Sequence, residues 1–232
     1  MTAFVLGATG FVGREVVRQL CVRGAKPFAH VRPDSSKLAE WRTTFGEMGA
    51  TVDTTPWDVP KLAARFRELF ATGASQVYIC IGTTRGKAKA DAIDGNIYEK
   101  VDLGLTQIAV DAVKASETRP RLVYLSSVGA KASASSAYLA ARGKAEDVVM
   151  ASGIPWVIAR PSIITGERDE SRFGESTAAI VGDGLLAVAG VFGGKKLRAR
   201  FRSTTGDILA SALIRLGEAP ESDKIVDGSD LR

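Results

Sequence analysis

The chain has 232 residues, 45% of them apolar, and carries a formal charge of +5 with two cysteines. That length and apolar share can bury the core of one large α/β domain, with room for a small appendage but not for two domains of independent origin. Cys21 and Cys80 lack the spacing of a metal site or a disulfide framework, no apolar run reaches membrane-spanning length, and the modest positive charge by itself selects no class of partner.

The opening stretch, Met1-Thr2-Ala3-Phe4-Val5-Leu6-Gly7-Ala8-Thr9-Gly10-Phe11-Val12-Gly13, is a short apolar run that breaks into three glycines spaced by three. Phe4 to Leu6 read as a buried strand, and Val12, Val16, Val17 and Leu20 follow helical spacing. The glycines therefore sit at a strand-to-helix turn. Gly7 serves the tight backbone, Gly10 lets the main chain approach a pyrophosphate, and Gly13 lets helix and strand pack closely. Backbone N–H groups and the positive end of the helix then face the anion. Gly7, Thr9, Gly10, Phe11, Val12 and Gly13 are the candidate contacts. The strand begins at residue 3, which leaves no room for a signal or transit peptide ahead of it and predicts a cytoplasmic protein.

Pro27 to Val31 is the second predicted strand, Ser36 to Met48 a helix, and Thr51 to Trp57 holds the third strand. Leu62, Phe66, Leu69 and Phe70 line one face of a helix, and Gln76 to Ile81 is a nearly continuous apolar strand. Ile97, Val101, Leu105, Ile108, Ala112 and Val113 again follow helical spacing. Arg121 to Leu125 is the fifth strand, Tyr138 to Met150 a helix stopped at Ser152-Gly153, and Trp156 to Arg160 the sixth strand, closed by Pro161. Strand and helix alternating six times predict an α/β fold, a Rossmann-type doubly wound parallel sheet whose ligands bind at the carboxyl ends of the strands. Residues 161–206, rich in glycine, form the expected substrate-side appendage of a single nucleotide-binding domain. The end from Ala219 to Arg232 is polar and is expected on the surface.

About twenty residues past the glycines, where an NAD-selective site carries an acid, the chain has Val31-Arg32-Pro33. A guanidinium can hold a 2′-phosphate that a carboxylate would repel, so Arg32 favours NADP over NAD, with Asp34 close enough to blur the preference. His30, the only histidine, fits a surface or packing role better than catalysis. Farther on, strand five ends in Leu125-Ser126-Ser127. A serine at that place can polarise a substrate carbonyl, and a tyrosine one turn into the next helix, Tyr138, can pass it a proton. The two serines alternate faces, and Ser127 is the one assigned to the site. A free phenol has a pKa near 10, so the tyrosine needs a neighbouring cation, and position i+4 holds Arg142.

Together, Gly7-x-x-Gly10-x-x-Gly13, Cys80-Ile81-Gly82-Thr83-Thr84-Arg85-Gly86-Lys87-Ala88, Leu125-Ser126-Ser127 with Gly129-Ala130, Tyr138-Leu139 and Arg160-Pro161 make the chain resemble an atypical short-chain dehydrogenase/reductase, of the Tat-interacting-protein oxidoreductase branch, from residue 3 to about residue 215. The resemblance implies that Ile81, Gly82 and Thr83 line the cofactor, that Asp58 lies near the adenine, and that Pro161 borders the nicotinamide. The family motif is Tyr-x-x-x-Lys, its lysine acidifying the tyrosine and hydrogen-bonding the nicotinamide ribose; here Arg142 stands in the lysine's place. Arginine keeps the charge but cannot release a proton and contacts through a rigid fork. Lys144 is no easy substitute, since six residues at about 100° each turn it roughly 120° away from Tyr138.

Lys196, Arg198, Arg200 and Arg202 alternate with Leu197, Ala199 and Phe201, a strand with one cationic face. Such a face blocks sheet-to-sheet aggregation, or receives an anionic substrate, an acidic partner or nucleic acid; Phe201 points away from it, so stacking on bases is not expected. Three readings follow. The first is an NADP-dependent oxidoreductase acting on a small carbonyl or alcohol substrate, with Ser127, Tyr138 and Arg142 at the chemistry. The second is a non-catalytic NADP-binding protein that signals redox state to a protein partner. The third is a nucleic-acid binder.

Overall fold

The computed structural model describes residues 2–71, 75–83, 94–162, 164–165 and 204–231. The basic strand at 196–202, the Thr84-to-Ala88 part of the family string and nearly all of the expected appendage lie outside them.

Elements alternate along the chain: β1 (Thr2–Leu6), α1 (Phe11–Val22), β2 (Phe28–His30), α2 (Leu38–Met48), β3 (Thr51–Asp53), α3 (Val59–Leu69), β4 (Ser75–Ile79), a π-helical turn (Glu99–Leu103) continuing into α4 (Gly104–Ala115), β5 (Arg121–Leu125), α5 (Ala137–Met150) and β6 (Trp156–Arg160). The short β7 (Ile164–Thr165) pairs with β8 (Thr204–Thr205), then come α6 (Gly206–Glu218) and β9 (Lys224–Asp227). The main sheet has seven parallel strands in the order β3-β2-β1-β4-β5-β6-β9. Strand order reverses between β1 and β4, which opens a crevice at their carboxyl ends.

The central strands read as continuous apolar runs because both faces are covered. Phe4, Leu6, Val77, Ile79, Leu122, Tyr124 and Ile158 pack with Leu62, Phe66 and Val113 of α3 and α4. Their neighbours Val5, Tyr78, Val123, Leu125 and Val157 face the other way, onto Val16 and Leu20 of α1 and Leu213 of α6.

The carboxyl-terminal segment departs from the expectation of a polar surface tail. Lys224–Asp227 forms a seventh strand, in register Ile158↔Ile225 and Ala159↔Val226. Its sequence signal is weak because it is an edge strand with two apolar residues, of which Ile225 is 39% exposed. What brings it to β6 is α6. The Arg121 guanidinium donates to the carbonyls of Leu216, Ala219, Pro220 and Glu221, gathering acceptors that the end of α6 leaves open. Beneath it, the Gln76 amide donates to the Gly217 carbonyl at 2.9 Å and receives the Tyr78 hydroxyl at 2.9 Å. A Cβ at residue 217 would stand 2.7 Å from that hydroxyl oxygen. Gly217→Ala is therefore expected to cost about 1–3 kcal/mol of stability through overpacking, read by equilibrium urea unfolding.

His30 is buried against Phe4 and Trp57, its Nε2 N–H donating to the Thr55 carbonyl at 2.7 Å. Burial holds its pKa below the ordinary imidazole value. The folded state thus prefers neutral His30, and this contribution to stability, complete above the unfolded value of about 6.5, declines as pH falls from there toward the lower folded value. No other histidine exists in the chain. The unfolding midpoint should drop on going from pH 7.5 to 5.5 (about one unit either side of the free imidazole value), and His30→Gln should flatten that slope.

Candidate active site

The glycine turn is pressed against the end of β4. Gly7 has φ of 77°, in the left-handed region, and a Cβ there would stand 2.5 Å from the Cys80 carbonyl oxygen. A Cβ at residue 13 would stand 2.2 Å from the Gly7 carbonyl oxygen, so α1 can approach β1 only with glycine at that place. Residue 10 differs: among the described residues a Cβ there would meet the Gly7 carbonyl oxygen alone, at 3.2 Å, a close contact but a milder one than at residues 7 and 13. Gly10 also caps α1, with no side chain capping the helix and no acid in its first turn. The partial positive charge of the helix end favours an anion, and its backbone N–H groups are suited to a dinucleotide's diphosphate. Val12 is 6% exposed and belongs to the core, so it offers an anion only its backbone, while Thr9 and Phe11 are half-buried. Cys80, beside Gly7, has its thiol pushed up to about 12 by burial and is no nucleophile.

Past β2, Arg32 is partly exposed and its Nε lies 3.8 Å from Asp34, too long for a strong pair. Asp58 caps α3, accepting the Lys61 N–H at 3.0 Å. Pro161 is buried, and its carbonyl accepts the Val128 N–H at 2.9 Å, which ties the stretch after β6 to the stretch after β5.

At the end of β5 the two serines part. The Ser126 hydroxyl is buried and donates to Glu146 Oε1 at 2.5 Å, and Arg160 holds the same carboxylate from the other side at 2.8 and 2.5 Å. Ser127 is half-buried, its hydroxyl 3.3 Å from the Val128 carbonyl. Tyr138 lies in the first turn of α5, half-buried, with its ring edge-on to Tyr98 at 5.5 Å.

One turn on, Arg142 points inward and is 5% exposed. One terminal nitrogen donates to the Leu125 carbonyl at 2.6 Å and the Tyr124 hydroxyl at 3.3 Å; the other donates to the Ile81 carbonyl at 2.9 Å and lies 3.0 Å from Asp102 Oδ1. Its guanidinium carbon is 5.4 Å from the centre of the Tyr138 ring. Burial opposes the charge, but Tyr138, Tyr124 and Asp102 outweigh it, and the pKa is held well above its ordinary value. Arg142 is thus a permanent cation fixed below the tyrosine. A Cβ at residue 82 would stand 2.6 Å from its terminal nitrogen, so Gly82 makes room for the guanidinium. Lys144 is on the surface, 2.8 Å from Glu99.

Sequence reasoning passed over Asp102, Tyr124 and Glu146. A signal existed for the first, an acid between Val101 and Leu103 on an apolar helical stretch. Tyr124 and Glu146 gave none, since a tyrosine in a buried strand and a glutamate in a helix are ordinary.

The NAD(P)H-binding family matches the chain over residues 7–183. The chain is 32% identical over 173 residues to Protein FMP52-1, mitochondrial, of Scheffersomyces stipitis, covering 74% of this chain and 71% of that one. It is 31% identical over 170 residues to a ceramide reductase of Caulobacter vibrioides, covering 73% of this chain and 48% of that one. Vestitone reductase from alfalfa has the same fold, with a TM-score of 0.65 at 18% identity, over 98% of this chain and 78% of that one. One expectation is corrected: FMP52-1 and its namesakes in other fungi are named mitochondrial, against the cytoplasmic placement read from the opening strand. The physical reason is that compartments are assigned by receptor-read signals, and a folded domain's composition carries no such address.

The three glycines are expected to separate by experiment. Gly13→Ala should fail to fold or lose about 3 kcal/mol or more, because backbone blocks its Cβ. Gly10→Ala should keep its melting temperature within a few degrees and bind a nicotinamide dinucleotide on the order of tenfold more weakly, measured by calorimetry.

Proposed function

Because the chain belongs to the NAD(P)H-binding family, with the architecture of an atypical short-chain dehydrogenase/reductase, we propose that it is an NADP-dependent oxidoreductase that moves a hydride between the nicotinamide and a carbonyl or alcohol. The observation that carries this reading is the stack of Tyr138 on the buried Arg142 cation at the carboxyl ends of β4 and β5, beside the glycine turn. The two relatives and the alfalfa enzyme lend support, one relative being a ceramide reductase by name.

When bound, the cofactor supplies the hydride. The chain's own residues do the rest. The Gly7–Gly13 turn and the amino end of α1 hold the diphosphate. Arg32 meets the 2′-phosphate that distinguishes NADP, and Asp58, Ile81, Gly82, Thr83 and Pro161 border the cofactor along the crevice. Ser127 orients the substrate oxygen and Tyr138 donates or accepts its proton. Arg142 moves no proton; it supplies fixed positive charge under the Tyr138 ring.

Tyr138→Phe is expected to lower turnover with a responsive carbonyl by about 10²–10⁴-fold while leaving NADPH affinity within a few-fold, followed by loss of reduced-cofactor absorbance and by calorimetry. Arg32→Glu should weaken NADPH by roughly tenfold or more and leave NADH nearly unchanged; equal losses for both would refute the 2′-phosphate role.

One observation favours the second reading, of a non-catalytic NADP-binding protein that reports redox state to a partner: both terminal nitrogens of Arg142 are committed to acceptors within the protein. Tight NADPH binding with no turnover on any carbonyl, in the wild type and in Arg142→Lys alike, would decide for it.

A further inference from the structure

Asp102 is fully buried in the π-helical turn ahead of α4. A π turn inserts one residue into a helix and so rotates a side chain to a place that the α-helix would not give it. Here the side chain is a carboxylate, and its two oxygens have different tasks. Oδ2 accepts the backbone N–H of Thr83 at 3.2 Å, and Oδ1 lies 3.0 Å from the terminal nitrogen of Arg142 that also donates to the Ile81 carbonyl. The turn is tied in as well, since the Asp102 carbonyl accepts the Thr106 hydroxyl at 2.6 Å. Gly82 lies beside both acid and cation: a Cβ there would come 2.6 Å from the Arg142 nitrogen and 3.8 Å from Asp102 Oδ1.

The segment that Asp102 holds is the one against the glycine turn. A Cβ at residue 7 would approach the Cys80 carbonyl oxygen to 2.5 Å and the Ile81 nitrogen to 2.9 Å, so residues 80–83 form the wall of the crevice where strand order reverses. The cation that Asp102 holds is the one under Tyr138.

We propose that Asp102 is a positioning residue that fixes the cofactor-side wall through the Thr83 N–H and the cation beneath Tyr138 through Arg142, so that one buried carboxylate couples cofactor binding to the proton-transfer pair. The inference rests on the cofactor-dependent reading above. It assigns the buried acid a task beyond charge balance: a carboxylate present only to neutralise Arg142 would be needed by the guanidinium and by nothing on the cofactor side. Removing one partner of a buried ion pair leaves the other charge uncompensated, which destabilises any fold whatever the acid's task. A clean test removes both charges and varies only the acceptor.

NADPH affinity is measured by calorimetry for the wild type and for two double variants, Asp102→Asn/Arg142→Met and Asp102→Leu/Arg142→Met, at a temperature where circular dichroism shows all three folded. The amide retains an acceptor for the Thr83 N–H and the leucine does not. The leucine variant should bind NADPH about tenfold or more weakly than the asparagine variant, the consequence of one buried N–H left without a partner. Equal affinities would overturn the proposal. A wild type that does not bind NADPH would instead overturn the cofactor reading, and this inference with it. Should the leucine variant not fold, hydrogen exchange on the unaltered protein decides: NADPH should slow exchange in the Glu99–Leu103 turn as well as at residues 80–83, and protection confined to residues 80–83 would sink the coupling.

Discussion

The constraint on which the candidate site depends is between backbones. The glycine turn after β1 and the stretch after β4 approach so nearly that no side chain fits at residue 7, and α1 meets the same turn so nearly that none fits at residue 13. Register leads to this contact: Leu6 lies opposite Ile79, and the Cys80 N–H donates to the Leu6 carbonyl at 2.9 Å. Because strand order reverses between these two strands, the tight turn becomes one side of a crevice rather than part of a continuous layer. The milder contact at Gly10 and the uncapped start of α1 belong to the same turn.

A second constraint is electrostatic. A guanidinium with 5% exposure has lost its water and must find its partners in the protein. Arg142 finds them in the carbonyls that end β4 and β5, in Tyr124, and in the acid delivered by the π turn. These contacts run from the stretch after β4 to the end of β5 and the π turn, so one buried cation ties the three together. Gly82 accommodates Arg142, since a Cβ at 82 would stand 2.6 Å from the guanidinium. Replacing lysine by arginine at this place is therefore a change of architecture as well as of charge carrier: a flexible ammonium is exchanged for a planar group that takes its orientation from β5, the stretch after β4 and the π turn at once.

The polar residues around the site divide by burial. Ser126, Glu146 and Arg160 form a closed set, with the serine hydroxyl and both guanidinium contacts converging on one carboxylate. That set joins the end of β5 to α5 and β6, with the serine and the carboxylate buried and Arg160 partly exposed. Ser127, just past β5, and Tyr138, on α5, are half-buried. A Rossmann-type sheet serves many chemistries, and what individualises this one lies in which polar groups are buried in the fold and which are not.

The order of strands and helices through residue 160, the glycine turn between β1 and α1 and the burial of both sheet faces were legible in the sequence alone. They depend on local chemistry, on the period of apolar residues and on the spacing of glycines, and each is written in a few neighbouring positions. The seventh strand was not, because Lys224 to Asp227 is held by the end of α6 and by Arg121, a hundred residues distant in the chain. Nor was the task of Asp102 or the choice between Ser126 and Ser127 as partner of Glu146. A lone aspartate or a pair of serines carries no mark of its partners; only the folded chain brought Thr83 and Arg142 to the first and Glu146 to Ser126, in places that water does not reach.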